Sequence, residues 1–517
     1  MSELEDAADA RVEAMRAAEA SADITAACAK QELSDLGNAE RLRLRHGQDL
    51  RYCYAWRAWI CWDGCRWQQD ASGEAMRRAQ DMSRQLLAEA AQERNPDRAK
   101  ALATWALRSG DARRLAAALE QARPMLPVSV DELDQQPGTL CCCNGVVTLA
   151  TGTLRPHRRD DLITRMAGAD YDPNAHHPAL DRLLSHLSND DVETKSFLGR
   201  CVGMSAAGDV TAKVLFLALG PPDSGKGTLL EAARAALGDY ATVADLGVFV
   251  DTGGAGRATP EVANLRAARF AYCNESSAAQ ALDASKLKRL VGGGDRIRCR
   301  PLYTDGFEFA PEFTLWLASN HPPRVPGDDA ALWNRIIKIP FDRSIPQAER
   351  DPSVKSTLMS DPAARAAMLA WIVGGAHDWF VRGGSRKGLG IPPKVVAASE
   401  AYRAEQDDLG RFLGDCAVTD REGFASREAV RKAYLAWHAT AGEGEPLSGR
   451  SLIERMDVRA RPTKRGGVRG WTGWKLGASG ALGADTEPNF SYARAREKFG
   501  SQPAPSAPSQ NSAVGPA

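Results

Sequence analysis

The residues best placed to do chemistry together form one short run, Gly220-Pro221-Pro222-Asp223-Ser224-Gly225-Lys226-Gly227-Thr228. Glycines let a backbone turn its N–H groups inward around a polyanion, and a helix opening directly afterwards adds partial positive charge. Lys226 is spaced to meet β- and γ-phosphates, and the Thr228 hydroxyl to hold a magnesium ion. That hydroxyl normally follows the lysine directly; here Gly227 displaces it by one position. The flanks agree. Val214–Leu219 is an apolar run suited to a strand buried on both faces, and Leu229, Leu230, Ala233 and Leu237 recur at helical spacing. Strand, glycine loop and helix in that order point to a nucleotide site using ATP and Mg2+.

Three more polar residues stand at the ends of apolar segments. A strand over Arg269–Cys273 leads to Asn274 and Glu275, about fifty residues after the lysine. A carboxylate at the tip of a parallel strand beside a phosphate loop can hold magnesium and activate water. A second strand, Phe313–Ala318, ends in Ser319 and Asn320, whose amide can orient that water. Arg335 precedes a third apolar run, Ile336–Phe341, and in a ring ATPase an arginine there can enter the neighbouring subunit's site.

The elements that must hold these residues can be read coarsely. Residues 1–125 are mostly helical, interrupted by RYCYAWRAWICWDGCRW, which reads as a hairpin of Trp59–Trp62 and Arg66–Trp67 around Asp63–Gly64. NGVVTLATGTLRPH is a second hairpin. Strands and helices alternate over 205–345, implying a layered α/β core. Residues 346–395 are helical and end at Pro392–Pro393, 396–477 form a small mixed unit, and the Pro- and Ser-rich 478–517 is expected to be a disordered tail. Lysine plus arginine and aspartate plus glutamate both number 66, so any grip on nucleic acid must be local. No run of 18 apolar residues suggests a membrane span, and the charged start does not read as a signal peptide. The eleven cysteines lack paired C-x-x-C spacing and read as free thiols.

The wording and order of KLKRLVGGGDRIRCRPLYTDGFEF, FTLWLASNHPP and DDAALWNRIIKIPF resemble superfamily 3 helicases of the phage and plasmid primase–helicase family, relatives of poxvirus replication NTPases. LDQQPGTLCCCNGVVTLATGTLRPHRRDDLITRMAGADYDP is similar to the segment ahead of that family's helicase core, here 126–204. The resemblance covers about 35–475. It implies an AAA-type parallel-sheet P-loop ATPase core, a hexameric ring, 3′-to-5′ movement on single-stranded DNA, and a bacterial host cytoplasm. It also departs from the family. Ser277 stands where a second acid is common, leaving Glu275 alone. About 120 residues precede the family segment, without an Asp-x-Asp or zinc cluster, so a separate primase or polymerase is the expected partner.

DNA contacts are expected in two places. Lys286, Lys288 and Arg289 precede Arg296, Arg298 and Arg300, which alternate with Ile297 and Cys299 and so share one strand face. In the resembling helicases a hairpin here projects into the ring channel and grips the backbone. Further on, Arg459, Arg461, Lys464, Arg465, Arg469 and Lys475 interleave with Trp471 and Trp474 after two helical patterns, which resembles a winged-helix domain for origin DNA. The competing pattern there is a solvated loop over core tryptophans. Two other functions compete. The GKGT loop is also the adenylate-kinase form, but the arginine-rich lid such kinases need is missing. An ATP-switched origin-binding protein without unwinding would carry the same motifs.

Overall fold

A computed structural model describes residues 22–250, 260–274, 281–292, 294, 296–299, 307–325, 329–442 and 446–477. Glu275, Ser277, Arg300, the hairpin tip 300–306 and the expected tail 478–517 lie outside these residues.

After a helical stretch over 22–29 come α1 (Asp35–His46), α2 (Glu74–Gln92), α3 (Pro96–Ser109) and α4 (Ala112–Ala122). Local chemistry starts them. The Ser34 side chain accepts from the Gly37 N–H, and the Asn95 side chain accepts from Asp97 and Arg98, with Pro96 in the first turn. They enclose Leu42, Met82, Leu86, Leu102 and Leu119, together with a buried ion pair between Arg41 and Glu89 at 2.9 Å. The tryptophan-rich hairpin is β2 (Ala58–Trp62) and β3 (Trp67–Gln69), with Trp62 opposite Trp67. Its turn is held by Asp63, whose carboxylate accepts from the Cys65 and Arg66 N–H groups at 2.7 Å. With β1 (Leu50–Cys53) and β4 (Pro127–Val128) it forms a sheet in the order β3-β2-β1-β4. A three-stranded meander follows, β5 (Thr139–Cys142), β6 (Gly145–Thr148) and β7 (Thr153–Arg155), then α5 (Pro178–Ser188) and α6 (Val192–Ala207).

The central sheet has five strands, all parallel. They are β8 (Leu215–Leu219), β9 (Ala241–Val243), β10 (Phe270–Asn274), β13 (Thr314–Ser319) and β14 (Ile336–Pro340), in the order β14-β8-β13-β10-β9. Period-two alternation splits each apolar run between two cores. Phe216, Phe270, Trp316 and Ile337 face α6, α7 (Lys226–Leu237) and α10 (Pro362–Val381); Leu217, Ala271 and Leu315 face the other side. The Trp316 ring lies tilted against Phe216 at 4.4 Å between centroids, and its buried indole N–H donates to Ser205 at 3.0 Å. On the second face lie α8 (Ala284–Leu290) and the antiparallel hairpin β11 (Ile297–Cys299) and β12 (Phe307–Phe309). A helix, α9 (Pro352–Ser360), leads into α10.

Two expected boundaries fall inside helices. α6 runs through 204, and Pro393 opens a helix, α11 (Pro393–Glu405), where the sequence reading ended one. Pro is tolerated at a first helical position because that N–H has no partner anyway. α11 packs on the central sheet: Tyr402 is fully buried there, and the Ser399 hydroxyl accepts from the Lys338 N–H at 3.0 Å. The last unit therefore begins its own core at Leu409. It comprises α12 (Asp408–Cys416), β15 (Ala417–Ser426), α13 (Arg427–Ala441), α14 (Gly449–Arg459), β16 (Arg461–Arg465) and β17 (Val468–Leu476), with an antiparallel sheet ordered β15-β17-β16.

Where α6 crosses α10 the two helices meet backbone to backbone. A Cβ added to Gly203 would lie 2.1 Å from the Ala376 nitrogen, and one on Gly375 2.1 Å from the Gly199 oxygen. Backbone cannot yield as a side chain does, so Gly203→Ala should cost about 1–3 kcal/mol or more of stability. Urea unfolding checks this; an unchanged midpoint would mean the helices slide freely.

Candidate functional site

The carboxyl ends of the parallel strands gather the polar residues singled out by sequence. The loop Gly220–Gly225 links β8 to α7, and Asp223 and Gly225 take positive φ angles of 58° and 85°. Such reversals aim successive N–H groups into one concavity, with the α7 N-terminus behind it. Gly220 has to be bare. A Cβ there would sit 2.1 Å from the Phe341 carbonyl oxygen.

Lys226 is 6% exposed and its ammonium folds back under the loop. It donates to the Gly220 oxygen at 2.7 Å, the Pro221 oxygen at 2.8 Å, the Ser224 hydroxyl at 3.1 Å and the Asn320 side-chain oxygen at 3.0 Å. Burial pulls its pKa below the usual lysine value, while the Asp223 carboxylate acts in the opposite sense. Thr228 is half-buried in the first turn of α7. Asn320 follows β13, which pairs directly with β8, Ser319 opposite Leu219. The strand leading to Glu275 is one place further out, since β13 lies between β10 and β8. Asn320 is therefore on the strand that pairs directly with β8, while the β10 tip reaches the loop across β13. Asn274 ends β10, with its amide 4.0 Å from where a Cβ on Gly227 would stand.

Arg335 is not with them. Its carbonyl accepts from the Leu215 N–H at 2.8 Å, at the opposite end of β8 from the loop. The five residues of β8 separate the two by about 13 Å at some 3.3 Å per residue. Its guanidinium donates to the Ala331 oxygen at 2.6 Å. Several bracing groups carried no sequence signal. The Ser344 hydroxyl donates to the Pro222 oxygen, the Ile345 N–H to the Asp223 oxygen, and Arg350 pairs with Asp223 at 2.9 Å.

The basic segment divides into free and engaged cations. Lys286 donates to the Gly247 and Val250 carbonyls, and Lys288 pairs with Asp329 at 2.6 Å, so both act inside the fold. That corrects the expectation that Lys288 is spare for DNA. Arg289, Arg296 and Arg298 are exposed. Ile297 and Cys299 are buried between them, as the alternation requires, and Arg298 stands opposite Glu308. In the last unit Trp471 and Trp474 are buried in its core, leaving the cations around them at the surface.

Comparison with known proteins follows the same layout. Residues 39–188, from α1 through α5, match the family described as "D5 N terminal like", and residues 218–335 match a "Family of unknown function (DUF5906)". "Putative helicase 022R" of Frog virus 3 is 25% identical over 425 residues, covering 67% of this chain and 43% of that protein. "Putative primase C962R" of African swine fever virus (isolate Tick/Malawi/Lil 20-1/1983) is 25% identical over 337 residues, covering 60% and 34%. These matches make the chain similar to viral proteins of the primase–helicase kind, with residues 39–188 carrying the D5 N terminal like segment. It spans between a third and about two fifths of the length of these two relatives. The match begins at residue 39, close to the start near 35 expected for the resemblance, and so takes in the tryptophan hairpin and its helices. A solved structure of the NrS-1 C-terminal region is 12% identical, with a TM-score of 0.48, and covers 85% of this chain and 100% of that one. No described helix is long and apolar enough to cross a membrane.

The loop stands on the Gly220–Phe341 contact. Gly220→Ala should cost about 1–3 kcal/mol by forcing the loop away from β14. A calorimetric melting temperature unchanged from the parent protein would refute the contact.

Proposed function

We propose that the chain is an ATP-driven replicative DNA helicase of superfamily 3, with an AAA-type core that works as a ring. The observation carrying this is the 3.0 Å contact between Lys226 and Asn320, 94 positions apart, at the adjoining tips of β8 and β13. A lysine under a glycine loop neutralises phosphate charge, and an amide beside it can position water. Seated there, an ATP phosphate would exchange the neutral oxygens around the Lys226 ammonium for charged ones. Thr228, with Glu275, would hold Mg2+, which supplies charge stabilisation to the phosphates. The helicase and primase names of the viral relatives support a role in DNA replication.

Arg335 supports the ring. It stands at the far end of β8 from its own loop, so as a finger it would act in a neighbouring subunit's site. Arg296 and Arg298 would face single-stranded DNA in the channel, as backbone contacts blind to sequence.

Steady-state ATP hydrolysis with and without single-stranded DNA is the test. Hydrolysis stimulated by the strand, and abolished in Lys226→Ala, is expected. Turnover without stimulation would favour an ATP switch, and phosphate transfer to a nucleotide a kinase. Mixing Lys226→Ala with Arg335→Ala protomers should recover some turnover, since a mixed interface pairs an intact loop with an intact arginine. Mixtures no better than either parent would sink the finger. Arg298→Ala should lower the salt slope of single-strand binding by about 0.7 per subunit, read by anisotropy across salt concentrations.

A further inference from the structure

The C-terminal unit carries its charge in an unexpected place. In a helix-led reader the second helix of the pair, here α14, offers cations to the groove. The charges of α14 are already engaged. Arg450 pairs with Glu454 at 2.9 Å, Arg459 with Asp407 at 2.8 Å, and Asp457 accepts from the Trp471 indole at 2.7 Å and pairs with Arg427. Between them Val458 is 88% exposed. That surface presents two carboxylates, Glu454 and Asp457, and an apolar side chain, with Arg450 as its one exposed arginine, held to Glu454.

The β16–β17 hairpin is the opposite. Arg461, Lys464, Arg465 and Arg469 are all exposed, the turn is Gly466–Gly467 with φ of 57° and 85°, and no acid occurs from Val458 to Gly477. Among the described residues none of the four lies within ion-pair distance of a carboxylate; Lys475, further along, is paired with Asp420. Lys464 and Arg469 are direct cross-strand partners. Like charges so placed weaken a strand pair by roughly 0.2–1 kcal/mol. The arrangement opposes folding unless an anion sits on it. Alternation also puts Arg461 and Arg465 on one face of the ribbon and Lys464 and Arg469 on the other.

We infer that the β16–β17 hairpin is a contact for the phosphate backbone of duplex DNA, and that α14 does not read bases. A slim two-stranded ribbon with cations on both faces fits a groove bordered by two phosphate rows, whereas a single strand could engage one face only. The inference rests on the DNA-replication reading above but not on ATP hydrolysis. It makes this unit a sequence-blind clamp on duplex ahead of the ring.

The test uses the full chain and duplexes of unrelated sequence, with anisotropy titrations across salt. Removing Arg461, Lys464, Arg465 and Arg469 together as alanines should cut the salt slope by roughly 3 to 4, at about 0.9 per B-DNA phosphate contact. The charge-keeping set Arg461→Lys, Arg465→Lys and Arg469→Lys should retain the slope, and Arg450→Ala should leave duplex affinity as it was. If the alanine set does not fold, Lys464→Gln with Arg469→Gln should still lower the slope by about 2. A wild-type slope in that double variant overturns the inference. So does an Arg450→Ala protein that loses affinity and sequence preference together, which would return the role to α14. Loss confined to single-stranded DNA overturns the duplex assignment. Absent ATPase in the parent protein with hairpin-dependent duplex binding would sink the helicase reading and leave the clamp standing.

Discussion

A buried ammonium must be surrounded by oxygen or the fold cannot hold it. Lys226 meets that demand with two loop carbonyls, the Ser224 hydroxyl and the Asn320 amide. The amide is available because β13 lies directly beside β8 in the parallel sheet, so both strand tips open on the same edge. Gly220 must in turn be bare so that the backbone after β14 can lie against the loop. Loop, sheet order and the two flanking strands are thus one construction.

A second buried cation ties the earlier residues to that sheet. Arg269, 5% exposed at the start of β10, donates to the carbonyls of Gln136, Thr139 and Ala206 and lies over the Tyr240 ring. The Tyr240 hydroxyl accepts from the Cys141 N–H at 3.0 Å, and burial pushes its pKa up. The meander therefore shares a core with the sheet: Leu140, Cys142 and Val147 join Phe270 and Trp316 in one apolar cluster. The segment ahead of the sheet is a wall of the same body, and α6 passes through the boundary drawn between them.

Charge shows how little the overall balance conveys. Lysines and arginines equal aspartates and glutamates in number, yet pairing sorts them. Lys286, Lys288, Arg459 and Lys475 are spent on carbonyls and carboxylates within the fold, while Arg298, Arg461 and Lys464 are exposed. Partners such as Asp329 and Asp407 lie 41 and 52 positions from the residues they neutralise.

By itself the sequence determined what depends on neighbours in the chain. The loop spacing, the apolar runs that became β8, β10, β13 and β14, the Asp63–Gly64 turn, and the alternation exposing Arg296 and Arg298 all follow from local periodicity and backbone preference. The tertiary structure alone decided the order of those strands. It put Asn320 on the strand that pairs with β8 and the strand leading to Glu275 one place further out, and set Arg335 at the far end of β8 from the loop. It also decided that α11 belongs to the body of the central sheet, that Trp471 and Trp474 are core, and which cations remain unpaired. Strand order, helix docking and ion pairing join positions tens to hundreds of residues apart, and no local pattern of residue types records such contacts.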